Sequence, residues 1–360
     1  MKLIFDARYI RTDFHDGISR YSAELANAVA KQVPVTFMIS DMAQRKFLPE
    51  NSEFILMHGP TSPREPLTSI ILNKFNPDVV FSPMQTMGSA GKKFKLILTT
   101  HDLIYYRHRT PPGNINTAIK IGWVIFHLSY TPMRALLKEA EAVATVSETT
   151  RKELIDVKMT KHPIAVIPNA PQELSNFLDK PVRFKKDGPR NLVYMGSFMP
   201  YKNVETLIAA LAWLPPGYTL HLLSRITPKR KAALLDKAPK ESSIIFYGGV
   251  SDEEYARILA NNAILVSASL DEGYGLPVAE ALELGVPGVI TDMPIFHEVA
   301  DGGALYASGL DPKDFADKIL LLNEPELLKK LTIAGQKHVA KYNWASSAKR
   351  LVELAESLAR

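Results

Sequence analysis

Residues 267–292 read SASLDEGYGLPVAEALELGVPGVITD, and this stretch decides which fold class the sequence predicts. An apolar strand, 263–267, precedes a glycine-rich turn, and Pro277 opens a helix over 278–284, where its missing N–H costs nothing. Gly285 ends the helix, and the next apolar strand ends at 291. A strand–helix–strand unit of this kind places its two strands parallel in one sheet.

The same alternation extends along the chain in both directions. Further strands are predicted at 2–6, 35–40, 79–82, 96–100, 142–146, 164–167, 191–195, 219–223 and 244–247. Further helices are predicted at 18–33, 148–155, 204–213 and 344–358. Strands that alternate with helices in this way indicate an α/β fold with doubly wound parallel sheets.

A polar stretch, 171–190, divides this pattern into two runs and is interpreted as a linker. The prediction is two Rossmann-like domains, 1–170 and 191–343, which face a deep interdomain cleft where ligands bind. The last segment, 344–360, is predicted to be a helix that packs on either domain, including back on the first.

Composition excludes several classes of protein. The 360 residues are 46% hydrophobic and 22% charged, which is typical of a globular protein of about two domains. The absence of cysteine excludes disulfide frameworks, iron–sulfur clusters, thiolate zinc sites and cysteine nucleophiles, and it fits a cytoplasmic location. Asp6 interrupts the first apolar run, so no export signal is expected, and the longest apolar stretch, 121–130, is too short to span a membrane.

Positive charge is concentrated in the first half of the chain. Residues 1–170 hold 21 basic and 15 acidic residues, whereas residues 171–360 hold 22 and 23. Such a bias either attracts anionic partners or serves solubility alone. Nucleic acid is not expected as a partner, because no basic stretch interleaves with aromatic residues.

Several well-known site motifs are missing. The chain has no GxGxxG after its first strand, no P-loop, no HExxH and no GxSxG elbow. No Asp-x-Asp pair occurs, so a nucleotide held by a metal ion on such a pair is not supported.

The turn at 272–277 has the chemistry of a sugar-phosphate site. Glycines allow a ligand to approach the backbone, and the helix N-terminus offers the free N–H groups of 275–278 to a phosphate. Glu272 in the turn and Glu280 in the helix are both expected to face one ligand, since carboxylates accept hydrogen bonds from sugar hydroxyls.

The stretch EGYGLPVAE, residues 272–280, resembles the E-x7-E signature of retaining glycosyltransferases with the two-Rossmann GT-B architecture, of the glycosyltransferase family 4 type. The segment GSFMPYKN, residues 196–203, is most similar to the mannosyltransferase-like branch. Other segments that match in order, and so extend the resemblance over nearly the whole chain, are 16–21, 101–103, 146–147, 167–169, 281–292 and 296–299.

The resemblance implies a role for each matching residue. Glu272 would hold the hydroxyls of the donor sugar, Glu280 would bind the ribose, and Lys202 would neutralise the diphosphate. His101 would lie near the reacting sugar from the opposite domain, and Gly17 would let its loop close over the diphosphate. The catalytic set is His101, Lys202 and Glu272, and the donor-binding set adds Gly17, Ser197, Arg225, Val250, Gly273, Tyr274, Gly275, Leu276, Pro277 and Glu280.

Some of these residues also have a plain structural interpretation. Lys202 could be a surface lysine, His101 a buried core histidine and Gly17 part of a simple turn. Many relatives carry an arginine shortly before the lysine, whereas this chain has Ser197 and Tyr201 there. Arg225, in the loop after strand 219–223, either replaces that charge or is a solvated loop residue.

The resemblance implies the transfer of a hexose, of mannose or glucose type, from a GDP- or UDP-sugar to a glycan or lipid-linked acceptor, with retention and without a metal ion or other cofactor. That activity belongs to polysaccharide or glycolipid biosynthesis. Two alternatives remain at this point, a non-catalytic nucleotide-sugar-binding protein and a sugar-nucleotide epimerase of the same architecture.

The acceptor is expected in the first domain. Positive charge there comes from Arg8, Arg11, Arg20, Lys92, Lys93, Lys95, Arg107 and Arg109. Residues 116–138 combine Trp123 and Phe126 with Lys120 and Arg134, so this segment either rests on an anionic membrane at the inner face or is a buried helix. We favour the buried helix.

Overall fold

The computed structural model describes residues 1–13, 16–111, 117–185 and 188–360. They form two compact units. The first comprises residues 1–169 together with 342–360, and the second comprises residues 170–341.

The first unit is built on a sheet of seven parallel strands in the order β3-β2-β1-β4-β5-β6-β7. Its central strands are fully buried because helices cover both faces of the sheet. The strands are β1 (Leu3–Asp6), β2 (Val35–Ile39), β3 (Glu53–Leu56), β4 (Val79–Ser82), β5 (Lys95–Thr99), β6 (Ala142–Thr145) and β7 (Ile164–Val166).

The helices of the first unit come mostly from the connections between these strands. They are α1 (Gly17–Ala30), α2 (Thr68–Leu72), α3 (Ile104–Arg107), α4 (Thr117–Phe126), α5 (Thr131–Leu137), α6 (Glu148–Asp156) and, from the end of the chain, α14 (Trp344–Ala359). Asp16 caps α1, accepting a hydrogen bond from the Ser19 N–H at 2.9 Å, and Tyr21, Leu25 and Val29 form its buried face.

The terminal helix α14 belongs to the first unit, where it packs against α1. Leu351 is fully buried in this contact, and the Ser347 hydroxyl donates a hydrogen bond to the Pro168 carbonyl at 2.7 Å. The ring of Trp344 meets the edge of Tyr21 with the centroids 5.9 Å apart.

The second unit has a sheet of six parallel strands in the order β10-β9-β8-β11-β12-β13. The strands are β8 (Asn191–Tyr194), β9 (Thr219–Leu222), β10 (Ser243–Phe246), β11 (Ala263–Ser267), β12 (Gly288–Thr291) and β13 (Ala304–Ala307). The helices are α7 (Val204–Ala210), α8 (Pro228–Leu235), α9 (Asp252–Ala260), α10 (Leu276–Glu283), α11 (Pro294–Ala300), α12 (Pro312–Leu321) and α13 (Pro325–Val339).

Two parallel sheets flanked by helices confirm the predicted fold class. Two strands were not predicted. The edge strand β3 has only Ile55 buried, so its sequence lacks the apolar run of a central strand, and β13 is a four-residue strand just after two glycines. The segment interpreted as a linker, 171–190, lies in the second unit, apart from residues 186–187, which are outside the described residues.

The expectation that residues 116–138 form a buried helix is wrong. The described residues form two short helices, α4 and α5, with a break at 127–130 before Pro132. Ile121 and Ile125 are 58% and 61% exposed on α4. Asn116 lies outside the described residues. None of the helices among the described residues combines the length and the hydropathy needed to cross a membrane.

Candidate functional site

Most of the predicted donor residues of the second unit follow β8 or β11. These neighbouring strands mark the place where the strand order of the sheet reverses, so the loops that follow them diverge and leave room for a ligand. Lys202 follows β8 and Glu272 follows β11, and the Lys202 Nζ lies 2.6 Å from the Glu272 Oε1. Each side chain is only 14% exposed.

The loop that carries Lys202 is fixed by its neighbours. Asn203 adopts a left-handed conformation, φ +51°, which ends the short helical turn Pro200–Lys202 and begins α7. Its side-chain amide donates to the carbonyl of Ala268 at 3.2 Å, and the N–H of Leu270 donates to the carbonyl of Tyr201 at 2.8 Å. The loops after β8 and β11 are therefore hydrogen-bonded to each other, which positions the lysine against the glutamate.

Glu272 is positioned by a residue that the sequence analysis missed. The hydroxyl of Ser269 donates a hydrogen bond of 2.8 Å to Oε1 of Glu272, the same oxygen that the lysine contacts. Ser269 is fully buried and receives a longer hydrogen bond, 3.3 Å, from the hydroxyl of Ser267. The available signal was a serine three residues before Glu272 at the end of an apolar strand.

The start of α10 requires glycine. Gly275 has φ +90°, and a Cβ added there would lie 2.8 Å from Cε1 of Phe296. The prediction that all of 275–278 offer free N–H groups is wrong. Pro277 has no N–H, and the Val278 N–H donates to the Gly275 carbonyl at 2.9 Å. Gly275 and Leu276 are left to offer amides to a ligand. Glu280, one turn into α10, is 6% exposed.

The loops after β9 and β10 lie side by side at the same sheet edge. The N–H of Gly249 donates to the carbonyl of Leu223 at 2.8 Å, and the Arg225 side chain passes over Gly249, where an added Cβ would lie 3.2 Å from its Cγ. Val250 is half-buried next to it, and Arg225 is exposed. This side chain thus remains a candidate second cation.

A second arginine of this unit, Arg230, already forms hydrogen bonds with other residues. The guanidinium of Arg230 forms a two-pronged pair with Glu205, at 2.7 and 3.0 Å, and donates to the carbonyl of Phe198 at 3.1 Å. Burial opposes ionisation of Glu205, but the hydrogen bonds from Arg230 prevail and lower the pKa of that carboxyl. Ser197, next to Phe198, is exposed, and its carbonyl accepts a 2.6 Å hydrogen bond from the hydroxyl of Tyr194.

His101 and Gly17 lie in the first unit. Nε2 of His101 lies 2.7 Å from the carbonyl of Pro83, and because a carbonyl only accepts, Nε2 carries the proton and Nδ1 the lone pair of a neutral ring. Burial lowers the pKa of His101, so the ring is neutral at pH 7. The ring of Tyr21 on α1 packs edge-on with the centroids 5.1 Å apart, and Gly17 begins that helix and is exposed.

The first unit also corrects the expected distribution of positive charge. Arg8 is buried, with Nε 2.9 Å from Asp6 and Nη1 2.7 Å from Glu65, so it contributes no surface charge. Lys92 is likewise neutralised, by Glu141 at 2.7 Å.

Among the described residues, no group of three or more histidine, aspartate or glutamate side chains is arranged to hold a metal ion.

Comparison with known families assigns both units to the same kind of protein. Residues 15–170 match the family described as Glycosyltransferase Family 4, and residues 176–338 match the family described as Glycosyl transferases group 1.

Curated relatives are similar at modest identity. The O-antigen chain mannosyltransferase RfbU of Salmonella typhimurium is 27% identical over 232 residues, which are 62% of this chain and 62% of RfbU. The O-antigen chain mannosyltransferase B of Escherichia coli is 25% identical over 58% of each chain. The matches thus span about three fifths of these two relatives. The mannosyltransferase WbdA of Escherichia coli is 41% identical over 70 residues, or 9% of its length.

Solved structures share the fold over the whole chain. A sucrose-phosphate synthase of Thermosynechococcus elongatus superposes with a TM-score of 0.77 at 18% identity, covering 99% of this chain and 98% of that one. HepE of Anabaena, solved in complex with UDP and glucose, superposes with a TM-score of 0.76 at 16% identity, covering 99% and 100%.

Proposed function

The chain belongs to the glycosyltransferase family 4 type, with the GT-B fold and mannosyltransferase-like relatives, and from this premise we propose that it transfers a hexose with retention from a nucleoside-diphosphate sugar. The donor sugar is of mannose or glucose type and the nucleotide is GDP or UDP. The observation that carries the proposal is the contact of Lys202 with Glu272 beside the N-terminus of α10.

The ion pair of Lys202 and Glu272 exchanges partners when the donor binds. In the structure the two side chains neutralise each other, with Nζ and Oε1 2.6 Å apart. A nucleotide sugar offers hydroxyls, which suit the carboxylate of Glu272, and a diphosphate, which suits the ammonium of Lys202. Each group then keeps hydrogen-bond partners of the right polarity, so opening the pair leaves neither the carboxylate nor the ammonium without hydrogen bonds.

The remaining donor contacts come from the turn and helix around the glutamate. The amides of Gly275 and Leu276 face the sugar and phosphate, in a turn completed by Gly273, Tyr274 and Pro277. Glu280 binds the ribose hydroxyls. Ser197 and Val250 border the site, and Arg225 supplies the second positive charge to the diphosphate.

Catalysis rests on stabilising the leaving group. As the sugar–phosphate bond breaks, negative charge grows on the nucleoside diphosphate, and Lys202 and the first amides of α10 are arranged to stabilise it. These groups need no metal ion to act. The acceptor attacks on the face from which the phosphate leaves, and the departing phosphate takes its proton, which gives retention. His101, neutral and with Nε2–H fixed on Pro83, acts beside the reacting sugar, and Gly17 lets its loop approach the diphosphate.

The acceptor is a glycan or a lipid-linked glycan. The names of the relatives, which build O-antigen chains, support this class and a place in polysaccharide or glycolipid biosynthesis. We propose that the protein works in the cytoplasm, at the inner face of the membrane.

A donor screen followed by anomeric analysis tests the proposal. Purified protein is incubated with GDP- and UDP-hexoses and a glycan acceptor, and the product is examined by NMR with and without a chelator. We expect one donor to give an acceptor-dependent product of unchanged anomeric configuration, equally with chelator, and Glu272→Gln to abolish it. Inverted product, chelator-sensitive turnover, or donor binding without acceptor-stimulated turnover would contradict the proposal, the last in favour of a binding protein.

A further inference from the structure

The loop that carries Lys202, residues 195–203, is hydrogen-bonded along most of its length. Each of its backbone carbonyls from 197 to 201 accepts a hydrogen bond. Three of the donors are backbone N–H groups, those of Lys202, Asn203 and Leu270. The other two are side chains, the hydroxyl of Tyr194 and the guanidinium of Arg230. A loop with so many paired backbone groups has few alternative conformations, so it presents Lys202 from a fixed position.

The guanidinium of Arg230, on α8, connects the two sides of the lysine. Its Nε donates to the carbonyl of Phe198 at 3.1 Å, four residues before Lys202. Its Nη1 and Nη2 donate to the two carboxylate oxygens of Glu205, three residues after Lys202, at 2.7 and 3.0 Å. Because a guanidinium is planar and rigid, these three hydrogen bonds fix the distance between Phe198 and Glu205.

Arg230 occupies a position where the helix itself disfavours a cation. It is the third residue of α8, and the hydroxyl of Thr227, which caps the helix, accepts a hydrogen bond from its N–H at 3.3 Å. The N-terminus of a helix carries partial positive charge, so an arginine there needs an anionic partner. Glu205 is that partner, and the two side chains are only 26% and 25% exposed. The charge of Arg230 is thus neutralised within the contact that holds the loop.

We infer that Arg230 is a positioning residue for Lys202. It holds segment 198–205 in one conformation, so the ammonium of Lys202 is already placed where negative charge develops on the departing diphosphate. The inference rests on the proposed transfer reaction. It gives Arg230 a different role from Arg225, which is proposed to contact the diphosphate, because Arg230 acts on the reaction through Lys202 alone.

A double-mutant cycle between Arg230 and Lys202 tests the inference. Arg230→Met removes the three side-chain hydrogen bonds and should lower kcat at saturating donor about tenfold, since a small displacement of a catalytic group costs up to about 10²-fold in rate. In the Lys202→Met background the same substitution should change kcat by less than about twofold, because the group that Arg230 positions is absent. A tenfold loss in both backgrounds would overturn the inference, because Arg230 would then act independently of Lys202.

Glu205→Gln separates positioning of the loop from direct binding of the diphosphate. If Arg230 holds the loop, loss of its ionised partner weakens the contact, so kcat should fall and the donor KM should not decrease. If Arg230 were a phosphate ligand instead, removing its counter-charge would free the guanidinium for the donor. A lower donor KM in Glu205→Gln would therefore overturn the inference.

The neighbouring Lys229 supplies a control of equal charge in the same turn of α8. It is exposed, and its side chain forms no hydrogen bond or ion pair with the described residues. Lys229→Met should keep the wild-type kcat, and an equal loss in this variant would overturn the inference. Arg230→Met is expected to fold, because the Lys237 Nζ, 3.7 Å from Oε1 of Glu205, still balances that carboxylate. Should Arg230→Met unfold in a thermal melt, Glu205→Gln decides the outcome.

Hydrogen exchange without donor separates this inference from the proposed reaction. The N–H groups of Lys202 and Leu270 report on the loop, because they donate to the carbonyls of Met199 and Tyr201 at 2.9 and 2.8 Å. Arg230→Met should quicken the exchange of both and leave β12 unchanged. If the loop responds in this way but the wild type turns over no donor, the proposed function fails and the loop contact is still supported. If the wild type transfers a hexose but the loop amides of Arg230→Met exchange as in the wild type, the inference alone is overturned.

Discussion

The position of Glu272 is determined by a hydroxyl and an ammonium group that meet on one oxygen. Ser269 and Lys202 contact Oε1 at 2.8 and 2.6 Å, so both lone-pair directions of that oxygen are used. When a diphosphate binds the lysine, the serine still holds the carboxylate in place. Ser269 is therefore a positioning residue in the proposed reaction, which acts on the sugar through Glu272.

Replacing this serine should weaken donor binding more than chemistry. A hydrogen bond to a charged group contributes about 1.5–3 kcal/mol, so Ser269→Ala should raise the donor KM about tenfold or more and change kcat less. Ser269→Thr, which keeps the hydroxyl, should restore much of the affinity. Steady-state kinetics with varied donor measure both constants.

Ser242 supplies the control, because its hydroxyl donates to the carbonyl of Pro239 at 2.8 Å in the same unit, in the loop before β10. Ser242→Ala should leave the donor KM unchanged. Equal donor KM values in the two alanine variants would show that Ser269 does not position Glu272.

Single residues also show which contacts cannot be predicted from the sequence. Lys202 and Glu272 could each be predicted, because each matches a motif, but their contact joins residues 70 positions apart and depends on which strands are neighbours. Arg8 follows β1, and an arginine is usually expected at the surface. Its guanidinium is nevertheless buried in ion pairs with Asp6 and Glu65. Neither partnership leaves a periodic signal in the sequence.

At the level of elements, the turn into α10 places two demands on Gly275. Its φ of +90° is rarely adopted by other residues, and Phe296 of α11 fills the space that a Cβ would need. Because the turn also carries the proposed sugar and phosphate contacts, strain there should affect both stability and donor binding.

Two glycine variants separate these demands. Gly217 also has a positive φ, +103°, but an added Cβ would meet nothing within 4 Å. Gly217→Ala should cost about 1–3 kcal/mol of unfolding free energy through backbone strain alone, and Gly275→Ala should cost about 1–3 kcal/mol more through the clash. Chemical denaturation measures the difference.

Donor titration adds the functional half of this test. Only Gly275→Ala should weaken donor binding, since Gly217 lies before β9, outside the donor turn. Equal stability of the two variants, together with unchanged donor affinity in both, would contradict this view of the turn.

The elements themselves could largely be predicted, for a physical reason. Central strands such as β4 and β6 are continuous apolar runs because both faces are covered. Edge and surface elements lack that signal, which is why β3 was missed. Residues 116–138 were misjudged because composition does not reveal which side chains of an apolar helix the protein covers. In α4, Trp123 packs against His127, whereas Ile121 and Ile125 are exposed.

At the scale of the whole molecule, the chain returns at its end to the unit in which it began. The helix α14 contributes buried Leu351 and Ala348 to the first unit after the chain has completed the second. The stability of the first unit therefore depends on residues that follow the whole second unit in the sequence.

Truncating the buried leucine should affect the two units unequally. Leu351→Ala should lower the unfolding free energy of the first unit by about 2–5 kcal/mol through lost burial and a cavity. Hydrogen exchange should then quicken in β4 and β5, near which α14 lies, and stay unchanged in β11. Leu331→Ala on α13 should give the reverse pattern, and the same quickening in both units from either variant would refute this division.

The turnover of Lys202→Met at saturating donor tests the central claim most directly, with Lys313→Met as control, because Lys313 forms an equally short, 2.6 Å pair with Asp317 on the exposed side of α12. If Lys202 stabilises the departing diphosphate, kcat falls about 10²–10³-fold in Lys202→Met alone, and Lys202→Arg recovers part of it. A kcat for Lys202→Met within about threefold of the wild type, with donor bound, would contradict the account.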